Sequence, residues 1–296
     1  MGFLLTWGFV MSNLIQNSNL FQDHVFSDAD YAMWKKIFIK QIVNLQDKAH
    51  PIFLSNYKRL KLSANEIPKL GDLNAILLAT TGWQVVPVDG LIGNEQYFHL
   101  LSKRIFPVAM IMRTSNEELL SKDPDIFHEI FGHCTMLMSS DYADFMQEFA
   151  KFALTVKTID RPIIARLLWF TTETGLIKTE SGLKIFGGSL LSSYAESIYC
   201  LTSKVPILTP FNLIDIFREP YRADILQKKY FILNDMRQLY CLLNKVNVLL
   251  RAVGAARALG ENPPLFPVTF DKYSNVGHCY SLKKTVPVIL QCGHSS

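Results

Sequence analysis

Asp123-Pro124-Asp125-Ile126-Phe127-His128-Glu129-Ile130-Phe131-Gly132-His133 carries two imidazoles five residues apart, a carboxylate after the first, and an Asp-Pro-Asp turn ahead of both. Asp123 is a capping residue by type and Pro124 a first helical residue, which puts His128 and Glu129 in the second turn of a helix. Zinc peptidases carry His-Glu-x-x-His, with the ligands four apart on one helix face. Here the second His lies five on, about 140° round an ideal helix. Both can reach one metal ion only where the helix is broken or bulged, and Gly132 permits that. The same spacing suits two histidines in a buried amphipathic helix, one of them bonded to a carboxylate. Spacing alone leaves both readings open.

A third donor is available. Trp169-Phe-Thr-Thr-Glu173-Thr-Gly-Leu176 follows Arg161-Pro162, a second Pro-marked helix start. Trp169 and Glu173 stand at i and i+4, so an indole and a carboxylate share one face. Two imidazoles and one carboxylate on one side of a metal leave the other positions open, an arrangement suited to non-haem Fe(II).

Composition bounds the rest. The chain has 296 residues, 49% of them hydrophobic, enough for one large domain with small appendages. A net charge of +4 without a basic block argues against a nucleic-acid surface. The five cysteines are scattered and form no Cys-x-x-Cys pair, which predicts reduced thiols in a cytoplasmic protein. Met1 to Val10 is apolar, but no Lys or Arg precedes Lys35, so an apolar tail or a true start at Met11 is expected rather than an export signal.

Along the chain, Ser27-Asp28-Ala29-Asp30 resembles a capping box and predicts a helix to about Ala49. Helices follow at 51–60 and from Ile67 to Thr80, the latter with Leu70, Leu73, Leu77 and Leu78 as its apolar face and Gly82 as its end. Trp83 to Val88 and Ile105 to Met112 are strand-like, with a short helix at Glu95–Leu101 between them. Asp141 to Ile159 is amphipathic, with Phe145, Phe149, Phe152 and Val156 at helical spacing. Ser189 to Leu201 and Asn234 to Leu259 are expected as helices, Pro206 and Pro210 as a loop, and the residues from Asn262 as a β-ribbon.

Several stretches together resemble the pterin-dependent aromatic amino acid hydroxylases, most of all the bacterial phenylalanine 4-hydroxylases. They are Gly82-Trp83-Gln84-Val85-Val86, Asp89-Gly90-Leu91-Ile92, Arg113, the segment Asp123 to His133, Trp169 to Leu176, Ser189 to Cys200, and Pro220-Tyr221-Arg222. They stand in the family's order and nearly at its spacing. The resemblance covers residues 22–275, with an apolar extension at 1–21 and a tail at 276–296.

The resemblance implies a mainly α (α+β) catalytic domain, with helices around an iron-containing pocket and short β-ribbons. It implies Fe(II) held by His128, His133 and Glu173, a tetrahydropterin co-substrate, and conversion of L-phenylalanine to L-tyrosine with O2. Arg113 matches the family's anchor for the substrate carboxylate, a task that suits a rigid guanidinium fork. Ser121, Trp169 and Ser192 match further substrate contacts. Ser192 also supports a ligand His, and Asp125 is expected behind the ligands. Gly90, Leu91, Ile92, Tyr97, Phe98 and Glu129 match the pterin side. Trp169 stands where tryptophan hydroxylases carry Phe, and Ala223 where tyrosine hydroxylases carry Asp. Both favour phenylalanine. The tail lacks the family's oligomerising heptads, so a monomer or weak dimer is expected, with small-molecule substrates and no nucleic-acid or membrane partner. The chain departs from the family at Cys134-Thr135, where Val-Pro is usual, at Thr174 for Phe, and at Ser189 for Gly. Three alternatives remain: a zinc peptidase using His128, Glu129 and His133, a non-catalytic pterin or phenylalanine sensor, and a hydroxylase of tyrosine or tryptophan.

Overall fold

The computed structural model describes residues 24–88, 92–115, 121, 123–243 and 245–260. The expected N-terminal extension, Gly90, Leu91, the ribbon from Asn262 and the tail lie outside them. The first helix, α1 (Asp28–Leu45), starts on the predicted capping box: Ser27 Oγ accepts from the Asp30 amide, and Asp30 Oδ2 accepts from the Ser27 amide. It stops at Leu45 rather than near Ala49, because residues 48–50 turn to pair with a strand. Lys48 O accepts from the Ile185 amide, and the His50 amide donates to Ile185 O, each at 2.8 Å. Pro51 then opens α2 (Pro51–Arg59).

Helix α3 (Leu70–Thr81) ends at Gly82 in the left-handed conformation, as its sequence predicts. Its buried face is narrower than expected. Leu70, Leu73 and Leu77 are enclosed, whereas Leu78 is 51% exposed. Asn74 completes the face by bonding both the amide and the carbonyl of Val85. That contact ties α3 to β1 (Gln84–Val88), which pairs in parallel with β2 (Ile105–Ala109) across the crossover helix α4 (Asn94–Ser102). β2 ends at Ala109, short of Met112.

The active-site segment follows the loop after β2. It runs as a π-helix over His128–Cys134 rather than as an α-helix. Helix α5 (Ser140–Thr155) buries Phe145, Phe149 and Phe152 but stops before Val156. A turn at Thr158–Asp160 leads into α6 (Arg161–Leu168), which continues as a second π segment, Trp169–Glu173. β3 (Leu176–Thr179) and β4 (Gly182–Ile185) form a hairpin. The predicted helix from Ser189 is two helices, α7 (Gly188–Ser192) and α8 (Tyr194–Thr202), because Ser193 is extended and caps the second by accepting from the Glu196 amide.

The expected loop at Pro206 and Pro210 contains β5 (Ile207–Pro210), an edge strand where proline is tolerated. It leads to α9 (Leu213–Arg218) and β6 (Lys229–Leu233), giving a four-stranded sheet of order β4-β3-β6-β5. The predicted long C-terminal helix is two, α10 (Arg237–Leu243) and α11 (Val246–Ala258), bent by 89° about a non-helical Lys245. No single helix among the described residues is long and apolar enough to cross a membrane.

The core bears directly on the site. Phe127 and Phe131 stack at 4.6 Å and insert among Trp34, Phe38 and Phe53 at 5.2–5.3 Å. These aromatic contacts fix the side of the π segment opposite the histidines. Cys134 and Cys200 are free, buried thiols.

Candidate active site

The five-residue spacing is resolved by the π-helix. Its i→i+5 hydrogen bonds bring residues five apart onto one face. His128 and His133 Nε2 atoms lie 3.1 Å apart, and Glu173 Oε1 is 3.1 Å from His133 Nε2. Glu173 Oε2 is 3.7 Å from His128 Nε2. Close backbone approach makes this possible. A Cβ on Gly132 would lie 2.7 Å from Gly188 O, and one on Gly188 would lie 2.5 Å from the His133 ring. Two glycines therefore let α7 pack directly on the ligand helix.

The helix start differs from the sequence expectation. Asp125, not Asp123, is the cap: its Oδ1 accepts from the His128 amide at 2.9 Å. Pro124 precedes the cap, and His128 falls in the first turn. Asp125 also holds Arg113 through Nε–Oδ2 and Nη2–Oδ1 bonds of 2.8 Å each. Both residues are buried. Burial alone would raise the Asp125 pKa, but the Arg113 guanidinium holds it below the ordinary value.

The donors match a divalent metal ion. Ser192 Oγ donates to Ser189 O and lies 2.9 Å from His128 Nδ1. The Nδ1 hydrogen is thereby engaged, leaving the Nε2 lone pair directed at the triad. Burial, with His133 adding to it, lowers the His128 pKa to about 4, so this ring is neutral. Glu173 would be raised by burial, but His133 brings it down to about 2. Its second oxygen, Oε2, accepts from Ser189 Oγ at 2.8 Å. Tyr142 Oη lies 3.5 Å from His133 Nδ1. The three donor atoms lie within 4.8 Å of one another and form the group that fits Fe(II).

A cavity of about 400 Å³ opens beside the triad, lined by Arg113, Ser121, Trp169, Ser192, Glu196 and Tyr221 among others. Trp169 stacks on Tyr221 at 4.3 Å and donates its indole N–H to Gln227 Oε1 at 3.2 Å. Ser121 donates to Asp123 O. On another side, the Tyr97 ring packs edge-on to Phe106, which lies 5.3 Å from the His133 ring. Phe98 is enclosed in the core against Phe149. Ile92 packs near Leu100 and Ile105. Burial raises the Glu129 pKa to about 8.

A family model described as biopterin-dependent aromatic amino acid hydroxylase matches residues 17–251. The chain belongs to that family. The phenylalanine-4-hydroxylase of Pseudomonas aeruginosa is 38% identical over 242 residues, covering 82% of this chain and 91% of that protein. Its counterpart in Vibrio cholerae is 37% identical over 244 residues, with 82% and 84% covered. A solved structure of phenylalanine hydroxylase from Legionella pneumophila is 40% identical and superposes with a TM-score of 0.77, covering 82% of this chain and 95% of that one. The protein is thus a pterin-dependent aromatic amino acid monooxygenase, and its two-His, one-Glu triad fits an iron site. Membership sets aside the peptidase alternative.

The departures of this hydroxylase from the family pattern are now physical. Thr174 Oγ1 donates to Trp169 O, five residues back, and closes the end of the second π segment. Thr135 supplies an amide to Ile130 O that proline lacks. Ser189 grips the ligand carboxylate. Replacing Ser189 with alanine is expected to weaken metal affinity by about tenfold with little change in fold. A Co(II) titration followed in the visible range, with thermal melts alongside, measures both. Gln227 and Tyr142 were not singled out by the sequence, since nothing in local spacing marks a residue that reaches the site from another element.

Metal loading should depend on pH with a definite sign. Burial disfavours charge on His133, but Glu173 outweighs it and raises the pKa above the ordinary value. In the metal-free protein this ion pair is complete at low pH. Its stabilising contribution is present below the unfolded-state pKa and is lost as pH rises through the folded one. Metal binding must displace that proton. Apparent affinity is therefore expected to fall by about tenfold per unit as pH drops below the folded His133 pKa. Chelator-buffered metal titrations between about pH 6 and about pH 8 read this slope.

Proposed function

We propose that this hydroxylase converts L-phenylalanine to L-tyrosine, using O2 and a tetrahydropterin at Fe(II). The carrying observation is a two-His, one-Glu triad at one end of a cavity that also presents a guanidinium and a stacked indole. Bound iron and reduced pterin supply the oxygen activation that amino-acid side chains cannot. The chain itself orients the substrate and excludes water.

Arg113 receives the substrate carboxylate. Three of its five N–H groups are occupied, by Asp125 twice and by Ser192 O, which leaves one on each Nη for a bidentate partner. Ser121 and Ser192 border the same end of the cavity. Trp169, braced by Tyr221 and Gln227, offers a flat wall for the aromatic ring. Ala223, also on the cavity wall, adds no charge that would draw a phenol. On the pterin side Tyr97 is the better platform, because Phe98 is enclosed by the core. Glu129, Gly90, Leu91 and Ile92 complete that side by the family pattern. We further propose a cytoplasmic monomer or weak dimer without nucleic-acid or membrane partners, since Fe(II) and a tetrahydropterin both persist best in a reducing compartment.

The test is product analysis after aerobic turnover of iron-loaded protein with a tetrahydropterin and, separately, L-phenylalanine, L-tyrosine and L-tryptophan. Pterin-dependent tyrosine from L-phenylalanine, with slower products from the other two, is the expected result. Preferred turnover of either other amino acid would remove the phenylalanine assignment.

A further inference from the structure

The cavity beside the triad contains a second buried carboxylate that is not a metal ligand. Glu196 stands in the first turn of α8, is 3% exposed and lines the same cavity as Arg113 and Trp169. Its two hydrogen-bond donors, the Tyr230 hydroxyl at 2.8 Å and the Gln227 amide at 3.0 Å, both fall on Oε1. Oε2 has no hydrogen-bond partner among the described residues. It is also not one of the fully enclosed unpartnered atoms, so it meets the cavity.

Nothing described on the protein neutralises this group. No Lys, Arg or His perturbs it, and burial pushes its pKa up to about 7. The other cavity carboxylates are differently placed: Asp224 is paired with Arg222, Asp123 is exposed, and Glu173 belongs to the triad. A buried carboxylate with one oxygen served and the other open is a site that lacks a cation. Arg113, in the same cavity, lacks an anion on its two remaining N–H groups. An α-amino acid carries both complementary charges on one carbon.

We propose that Glu196 Oε2 receives the α-ammonium group of the substrate while Arg113 holds its carboxylate, making Glu196 the residue that selects amino acids over aromatic acids without an amino group. This rests on the aromatic amino acid reading of the cavity. The ammonium breaks no existing bond, because Oε1 keeps both of its donors. Gln227, which donates to Oε1, also receives the Trp169 indole N–H. The residue that reads the amino group is thereby linked to the wall that reads the ring.

Anaerobic calorimetry on iron-loaded protein tests this with wild type and Glu196→Gln, each titrated with L-phenylalanine and with 3-phenylpropanoate, which lacks only the amino group. Glutamine keeps an acceptor for Tyr230 and Gln227 but turns an N–H2 donor toward the ammonium. The expected result is a Kd for L-phenylalanine raised at least about tenfold, with that for 3-phenylpropanoate changed less than about twofold. Equal losses for the two ligands would overturn the proposal and leave Glu196 a brace for Trp169. An unchanged Kd for L-phenylalanine would also overturn it. Glu196→Asp keeps the charge on a shorter arm and is expected to fall between, again with 3-phenylpropanoate unaffected. Failure of the phenylalanine reading is seen separately, in the wild type, as preferred binding and turnover of L-tyrosine or L-tryptophan. The comparison then runs on that amino acid and its deaminated acid.

Discussion

Glu173→Ala is expected to yield a folded protein that forms no detectable tyrosine and binds Fe(II) at least ~100-fold more weakly, beyond the ~10–100-fold that loss of a ligand's supporting partner costs. Glu173 is the one anion among the three donors, and His133 and Ser189 each hold one of its oxygens. Without it two neutral imidazoles remain, a poor match for a hard, oxygen-preferring divalent ion. The fold should survive. Around the π segment that Glu173 ends, the hydroxyls of Thr171, Thr172 and Thr174 donate to the carbonyls of Leu167, Leu168 and Trp169, and none of them bonds the Glu173 side chain. His133 should also lose the carboxylate that raises its pKa and titrate lower. Metal content after chelator competition, with thermal melts of the metal-free proteins, separates a lost ligand from a lost fold. A variant that retains one tightly held iron per chain would remove Glu173 from the triad.

What could be read in the sequence divides by distance along the chain. The Ser27–Asp30 cap, the start at Pro51, the stop at Gly82 and the phenylalanine stripe of α5 are local, and local rules found them. The two histidines were visible, but their spacing was ambiguous, because the π-helix that aligns them depends on Gly132 meeting Gly188 from a distant helix. Asp123 and Asp125 flank one proline and are equivalent as caps by type. Arg113 decides between them by drawing Asp125 inward. Leu78 lost its place on the α3 face to Asn74, whose bonds to Val85 no periodicity could reveal. The breaks at Ser193 and Lys245 have the same character: each interrupts a run whose composition is helical throughout. The resemblance named the substrate and metal residues. It was silent on why Ser189 and Thr174 stand where they do, since the Ser189–Glu173 bond exists only once α7 packs on the second π segment, and the Thr174–Trp169 bond only once that segment has its π geometry.

Asp125→Ala is expected to remove ~3–5 kcal/mol of stability, because it strands a buried guanidinium. One carboxylate takes four donors: Oδ2 accepts from the Arg113 amide and Nε, and Oδ1 from Arg113 Nη2 and the His128 amide. Alanine therefore removes the charge partner and the cap of the ligand helix together, the cap alone being worth about 1 kcal/mol. Asp125→Asn separates the two effects, since its amide oxygen can still cap His128 while its N–H2 group faces the guanidinium. The pH dependence follows from the depressed Asp125 pKa. The pair's contribution is fully present above the unfolded carboxylate value of about 3.9 and is lost as pH falls through the lower folded value. Urea unfolding of the metal-free proteins measures the loss, and a decrease below about 1 kcal/mol would show that the guanidinium finds another partner. The double variant Arg113→Met with Asp125→Leu carries the argument further. Replacing a buried ion pair by apolar groups of similar volume is often neutral for folding, so stability should return. Activity should not, because the substrate carboxylate then has no fork to bind. A stable but inactive double variant would place the value of this ion pair in substrate recognition, with Asp125 present to keep Arg113 rigid and aimed at the cavity.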